Sequence, residues 1–186
     1  MSSAAEEIHG VGFDDYLQNE QAGARRHELV GGRVYLMAGG SERHDLMAGL
    51  VYEALAPGAR TAGCRPFTSN RMLRAAQAAY YPDVLVVCGP AWHRLYERDA
   101  TVIVDVPSPS TESTDRREKA SAYALLPGLR LYVLVDPDRR RMEAARPDGG
   151  TLAWQAYGPG DVLTTPYGDL DVDALYDVVD ATASRP

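Results

Sequence analysis

Three short runs are apolar at nearly every position: Val84 to Cys88, Val102 to Val106, and Leu131 to Val135. Uninterrupted apolar runs of this length suit central strands covered on both faces, whereas strict alternation marks a half-buried strand. Between the second and third runs, the pattern predicts a helix from Asp115 to Leu126. Asp115 serves as its N-cap, Glu118 closes a capping box three residues on, and Pro127-Gly128 ends it. Strand, helix, strand in that order predicts a right-handed crossover between parallel strands.

The flanks carry weaker periodicities. Residues 12–19 read as a short helix with Phe13, Tyr16 and Leu17 on one face. His27 to Val30 and Arg33 to Ala38, joined by Gly31-Gly32, read as a hairpin, because paired glycines supply the positive φ of a two-residue turn. Ser41 to Ala56 has helical spacing, with Leu46, Met47, Leu50, Val51, Ala54 and Leu55 on its apolar side. Residues 140–157 read as a second hairpin around Pro147-Asp148-Gly149-Gly150. Val162 to Val179 should hold a short strand and a short helix starting near Asp173. No repeat, low-complexity tract or linker divides the chain. The expectation is one domain over 1–186, with 1–10 disordered and 180–186 a tail. Its class is α/β: a mixed central sheet flanked by helices, with N-terminal and C-terminal β-hairpins.

Composition narrows the function. Of 186 residues, 45% are hydrophobic and 24% charged, ordinary for a globular protein. No stretch reaches the ~18 apolar residues of a membrane helix, and the start lacks the basic and apolar segments of a secretory signal. Only Cys64 and Cys88 are present, outside any metal-like spacing, which points to a reduced, cytoplasmic setting. A net charge of −7 argues against a general high-affinity nucleic-acid binder, though not against an enzyme with a local basic strip. Eighteen arginines stand against a single lysine, Lys119. A lysine surviving that bias is a candidate for a position that needs a compact point charge rather than a planar fork.

Candidate chemistry gathers around that lysine. Asp83 opens the first apolar run, directly after Pro82, and Asp105 sits near the end of the second, in Val-Ile-Val-Asp-Val. If these strands pair antiparallel through the loop at 89–99, the start of one lies beside the end of the other, and two carboxylates share one sheet edge. An ionised carboxylate in a buried strand is costly unless it is paired or holds a metal. Asp83 and Asp105, with the Val106 carbonyl and water, make an oxygen-rich site suited to Mg²⁺ or Mn²⁺. Lys119, one turn into the following helix, could reach over that edge to orient a water or steady charge on a phosphate. The plainer alternatives are a buried ion pair of Asp105 with an arginine, and an i,i+4 pair of Asp115 with Lys119. His44, after Gly39-Gly40-Ser41, is placed facing the same cleft, with a packing or surface histidine as the alternative. Ser108, Ser110 and Thr111 are read as loop and helix-start support. No Gly-x-Ser-x-Gly signature marks a serine hydrolase.

In this order Pro82-Asp83, Asp105 and a lysine moved onto the next helix resemble the PD-(D/E)XK nuclease superfamily. More narrowly the chain resembles the Uma family of restriction-endonuclease-like proteins. The stretches that carry the likeness are His27-Glu28-Leu29-Val30-Gly31-Gly32-Arg33-Val34, His44, and Tyr81-Pro82-Asp83-Val84. Further on come Val104 to Thr111, the Asp115–Lys119 pair and Leu131 to Pro137. The likeness spans roughly residues 12–145. It implies a restriction-endonuclease-like fold, a metal-dependent endonuclease hydrolysing phosphodiester bonds, DNA as the substrate, and Glu28 as a further acid of the site. Two positions depart from the family: Asp105 stands where Glu is usual, and Pro107 where a larger apolar residue is usual, removing a backbone donor. On this reading His44, Arg71 and Arg74, with Arg65, are the expected contacts to substrate phosphates. Two rival readings remain. One is a catalytically inactive nuclease-fold binding or regulatory protein, favoured by the negative charge and Pro107. The other is a metal-dependent hydrolase of small phosphodiesters. Val172, Leu175, Tyr176 and Val178 in the tail are the expected surface of a homodimer.

Overall fold

The structure, a computed structural model, describes residues 10–37, 39–91, 93–107 and 112–183. The N-terminal part contains α1 (Phe13–Ala22), β1 (His27–Val30), β2 (Arg33–Leu36), α2 (Glu42–Thr61), β3 (Arg65–Thr68), β4 (Met72–Ala75) and β5 (Ala78–Tyr80). Next come β6 (Val84–Val87), β7 (Tyr96–Glu97), β8 (Val102–Asp105), α3 (Glu112–Tyr123) and β9 (Leu131–Val135). The chain ends through β10 (Met142–Asp148), β11 (Thr151–Tyr157), β12 (Val162–Thr165), β13 (Gly168–Asp171) and α4 (Val172–Ala183).

The expected mixed α/β class holds, and the three apolar runs are adjacent central strands. The main sheet has the order β11-β10-β9-β8-β6-β3, with β8 and β9 parallel around α3 and β6 antiparallel to β8. The N-terminal hairpin is not an appendage. It joins a second sheet, β2-β1-β5-β4-β7, while β12 and β13 form a separate hairpin. Gly31 and Gly32 turn the first hairpin at φ +57° and +77°, and Gly149 and Gly150 turn β10 into β11 at +56° and +88°. Only glycine adopts two such residues in succession without a steric penalty.

The side-chain period of two sorts each central strand onto two faces. Val84, Val86, Val102, Val104, Leu131 and Val133 face α2, α4 and the β12–β13 hairpin, against Met47, Val51, Leu55, Val172, Tyr176 and Val179. Leu85, Ile103 and Tyr132 face the other way, against Tyr123 at the end of α3, Leu126 just beyond it, and Leu73 and Tyr80 of the second sheet. Asp105, two residues after Ile103, is on this second face.

Four local expectations change. α2 starts where read, with Ser41 Oγ accepting from the His44 N–H, but runs on to Thr61 through Pro57. α3 starts at Glu112, so Asp115 lies inside the helix rather than capping it. Acidic residues stabilise every position near a helix's positive end, so Glu112 to Asp115 mark its start only to within a turn. Ser108, Ser110 and Thr111 lie outside the described residues. The tail holds two strands, not one, and its apolar side is used internally. Val172, Leu175 and Tyr176 are buried against the core, and of the four residues read as a dimer surface only Val178 is exposed. The Tyr176 hydroxyl donates to the carbonyls of Asp136 and Arg141, which ties α4 to the β9–β10 turn.

The two cysteines are not separate thiols. β3 and β6 pair antiparallel with Arg65 opposite Val87, so the residues just outside that pair, Cys64 and Cys88, meet in a disulfide with Cα atoms 4.3 Å apart. The Tyr167 hydroxyl lies 2.9 Å from Cys88 Sγ. This pairing removes the argument for a reduced compartment that rested on free thiols. Among the described residues no helix is long and apolar enough to cross a membrane.

Candidate active site

The antiparallel register of β6 and β8 sets Val84 opposite Val104. One residue further out on each strand, Asp83 and Asp105 therefore share a sheet edge, as the sequence predicts. Asp83 stands where the chain crosses from β5 of one sheet to β6 of the other. Its Oδ2 accepts from the Val106 N–H at 2.8 Å and its Oδ1 from Ser69 Oγ at 3.4 Å. His44 Nε2, at the start of α2, is 3.4 Å from Asp83 Oδ2, and its Nδ1 is 3.1 Å from Asp45.

Asp105 is only 5% exposed. Its Oδ2 accepts from the Tyr132 hydroxyl at 2.9 Å, and its Oδ1 is 3.7 Å from Lys119 Nζ. Lys119 is equally buried and comes from α3, one of the elements packed on this face. Its ammonium lies 3.2 Å from Glu28 Oε1 and 5.7 Å from the centre of the Tyr80 ring. Glu28, from β1 of the second sheet, also accepts from the Tyr81 N–H at 3.2 Å. Glu28, Asp83, Asp105 and Lys119 thus arrive from β1, the β5–β6 crossing, β8 and α3. The site is the junction of the two sheets.

The electrostatics follow from this crowding. Burial pushes the Asp105 carboxyl up to about 7, and the like charges of Asp83 and Glu28 add to the rise. Lys119 and the Tyr132 hydrogen bond oppose it. His44 is pushed up to about 9, chiefly by its hydrogen bond to Asp83, with burial opposing.

Whether a divalent cation suits these residues is decided by their donor set. Among the described residues no ready-made group of three His, Cys, Asp or Glu ligands is present. Mg²⁺ and Mn²⁺ do not need one: Mg²⁺ is usually held by one or two carboxylates and keeps several waters. Asp83 and Asp105 offer hard oxygens at one edge. Asp105 is a buried carboxylate with two like-charged neighbours, an arrangement a cation relieves. The residues fit the ion.

The remaining expected contacts lie elsewhere. Arg71 is taken up by the second sheet: Nε and Nη2 sit 3.0 and 2.6 Å from Glu97 Oε1, and further N–H groups reach the carbonyls of His93, Arg94 and Tyr96. Arg65 pairs with the same Glu97 at 3.1 Å. Arg74 lies over the Phe13 ring, 3.9 Å from its centre. None is brought to the acid cluster. Reading the sequence missed Tyr132, Tyr80 and Ser69. Tyr132 had a usable signal: in parallel pairing with β8, its position in the third apolar run falls on the Asp105 face.

The Uma2 family model, described as "Putative restriction endonuclease", matches residues 13–169. The uncharacterised protein slr1290 of Synechocystis sp. is 31% identical over 131 residues, 66% of this chain and 66% of that one. The chain thus spans about two thirds of that relative's length. The uncharacterised protein sll1609 of the same organism is 26% identical over 135 residues, 69% of this chain and 76% of the relative. A crystal structure described as "a putative nuclease belonging to DUF820", from Anabaena variabilis, superposes with a TM-score of 0.77. It covers 91% of this chain and 99% of that one at 13% identity, a likeness of fold.

Proposed function

The chain belongs to the Uma2 family of restriction-endonuclease-like proteins, and from that premise we propose that it is a metal-dependent endonuclease hydrolysing phosphodiester bonds of DNA. One observation carries the reading. Two sheets bring Glu28 and Asp105 to the only lysine of the chain, with Asp105 buried and Asp83 beside it on the same sheet edge. The order follows the PD-(D/E)XK pattern, with the lysine supplied by α3.

Asp83 and Asp105, with the Val106 carbonyl, would hold Mg²⁺ or Mn²⁺. Such an ion, when bound, lowers the pKa of a water and shields the phosphate. Lys119 is held by Glu28 beside Asp105, where a compact ammonium can orient the attacking water and offset charge developing on phosphate oxygens. Glu28 keeps that ammonium in place. His44, protonated at neutral pH by its contact with Asp83, stands in the first turn of α2. Both of its ring nitrogens face carboxylates, Nε2 at Asp83 and Nδ1 at Asp45, so a phosphate oxygen would have to take the place of one of them to receive its N–H. With a net charge of −7, attraction to the DNA backbone is confined to such local contacts.

The test is cleavage of supercoiled plasmid in Mg²⁺ or Mn²⁺ by the wild type, Asp105→Ala and Lys119→Ala. Nicked and linear product is expected from the wild type alone. Equal activity in all three proteins contradicts the assignment. Cleavage of a small model diester with intact plasmid would move the substrate class to small phosphodiesters. Inertness toward both would favour a binding or regulatory protein.

A further inference from the structure

We propose that Tyr132 is a positioning residue that fixes the orientation of the Asp105 carboxylate for its cation; this rests on the reading of Asp105 as a metal-holding group. In the parallel register Tyr132 is opposite Ile103 and Asp105 opposite Leu134, so Tyr132 lies diagonally behind Asp105 on the same face. Its hydroxyl donates to Oδ2 at 2.9 Å, and the residue is fully buried. The ring is held from two sides: Tyr123 meets it edge-on at 5.0 Å and Trp154 at 5.6 Å. A tyrosine has two side-chain torsions, and packing that fixes the ring also fixes where the hydroxyl points. With Oδ2 engaged, rotation of the carboxylate would break that bond. Oδ1 is thereby kept on the Lys119 side. Outer partners of metal-ligating groups typically change metal affinity about 10–100-fold when removed.

The neighbouring Tyr123 is an internal control. It too is fully buried, with its ring edge-on to Tyr80 at 5.3 Å and to Tyr132. Among the described residues its hydroxyl is the buried side-chain polar group without a hydrogen-bond partner. Removing either hydroxyl leaves a phenylalanine in the same aromatic layer, and only one of the two removals touches Asp105.

The experiment is calorimetric titration of Mn²⁺ into the full-length wild type, Tyr132→Phe and Tyr123→Phe, with plasmid cleavage measured over a range of Mn²⁺ concentrations. Tyr132→Phe is expected to bind Mn²⁺ about tenfold more weakly. Raising the Mn²⁺ concentration should restore most of its kcat. Tyr123→Phe should stay within about twofold of the wild type, since its hydroxyl makes no bond to a ligand. Equal affinity of the wild type and Tyr132→Phe overturns this inference alone. Equal weakening by both substitutions overturns it too, because the effect would then belong to the aromatic layer. A wild type that takes up no Mn²⁺ overturns the metal reading and this inference together.

Discussion

Among the described residues, Glu97 and Asp105 are buried acids that the molecule treats in opposite ways. Glu97 is 0% exposed, and guanidinium groups meet both of its oxygens: Arg65 at 3.1 and 3.4 Å, Arg71 at 2.6 and 3.0 Å. Arg71 then spends its other N–H groups on carbonyls of the 93–96 segment. That cluster is closed, and it clamps β7 to β4 and β3. At the sheet junction, three carboxylates meet Lys119 and His44 instead. The shortest described contact of Asp105 to a cation is 3.7 Å, and its firm hydrogen bond comes from a neutral tyrosine. A buried carboxylate held by two arginines is complete as it stands. One shared among like charges gains from a further cation. The contrast supports reading the first cluster as structural and the second as the proposed site.

Substitutions should separate the two clusters. The largest effect is expected from Asp105→Asn, which should reduce plasmid cleavage by more than the ~10²–10³-fold typical of losing one transition-state contact. Lys119→Ala should fall within that range, and Lys119→Arg should not restore activity, since a broad fork does not replace a point charge. Glu97→Ala should behave in the reverse manner. Removing one partner of a buried ion pair costs roughly 3–5 kcal/mol. The partial exposure of Arg65 and Arg71 places this case at the low end. Chemical denaturation should show the loss, while the protein still folded keeps its rate of cleavage.

A smaller effect separates the clusters by pH. The Asp105 pKa is raised in the folded state from 3.8 to about 7, so the folded protein binds the proton more tightly than the unfolded chain does. Without metal, the contribution of Asp105 to stability is therefore fully present below the ordinary value. It is lost as pH rises toward about 7, at roughly 1.4 kcal/mol for each pH unit in which only the folded state is protonated. Denaturation midpoints of metal-free protein should fall across that window, and Asp105→Asn should flatten the fall. His44, raised from 6.5 to about 9, adds stability that is present below 6.5 and lost as pH rises through about 9. His44→Gln should remove that second, higher window. The smallest expected effect is on metal affinity in Glu97→Ala, which should match the wild type.

The site was more legible in the sequence than its surroundings. Apolar runs placed β6, β8 and β9 to within a residue at their ends. Asp105 stood out as a charge where the pattern forbids one, while Asp83 rested on the predicted strand pairing and the family resemblance. Lys119 stood out by composition. The fate of Arg71 was not legible. Its partner Glu97 lies 26 residues away, in a two-residue strand with no periodicity to read, so an arginine on a strand looked free for phosphate. The disulfide was hidden for a related reason. Cys64 and Cys88 become neighbours only once β3 is known to pair with β6. The tail failed differently. Its apolar residues were recognised, but a pattern shows that a face must be covered and not whether the cover is α2 of the same chain or a second copy.

The most direct test of the central claim is an anomalous difference map from crystals of the full-length protein soaked in Mn²⁺. A peak between the carboxylates of Asp83 and Asp105, absent in Asp105→Asn, is the expected result. A map of the wild type with no peak at that edge, at a Mn²⁺ concentration that supports cleavage, would contradict it.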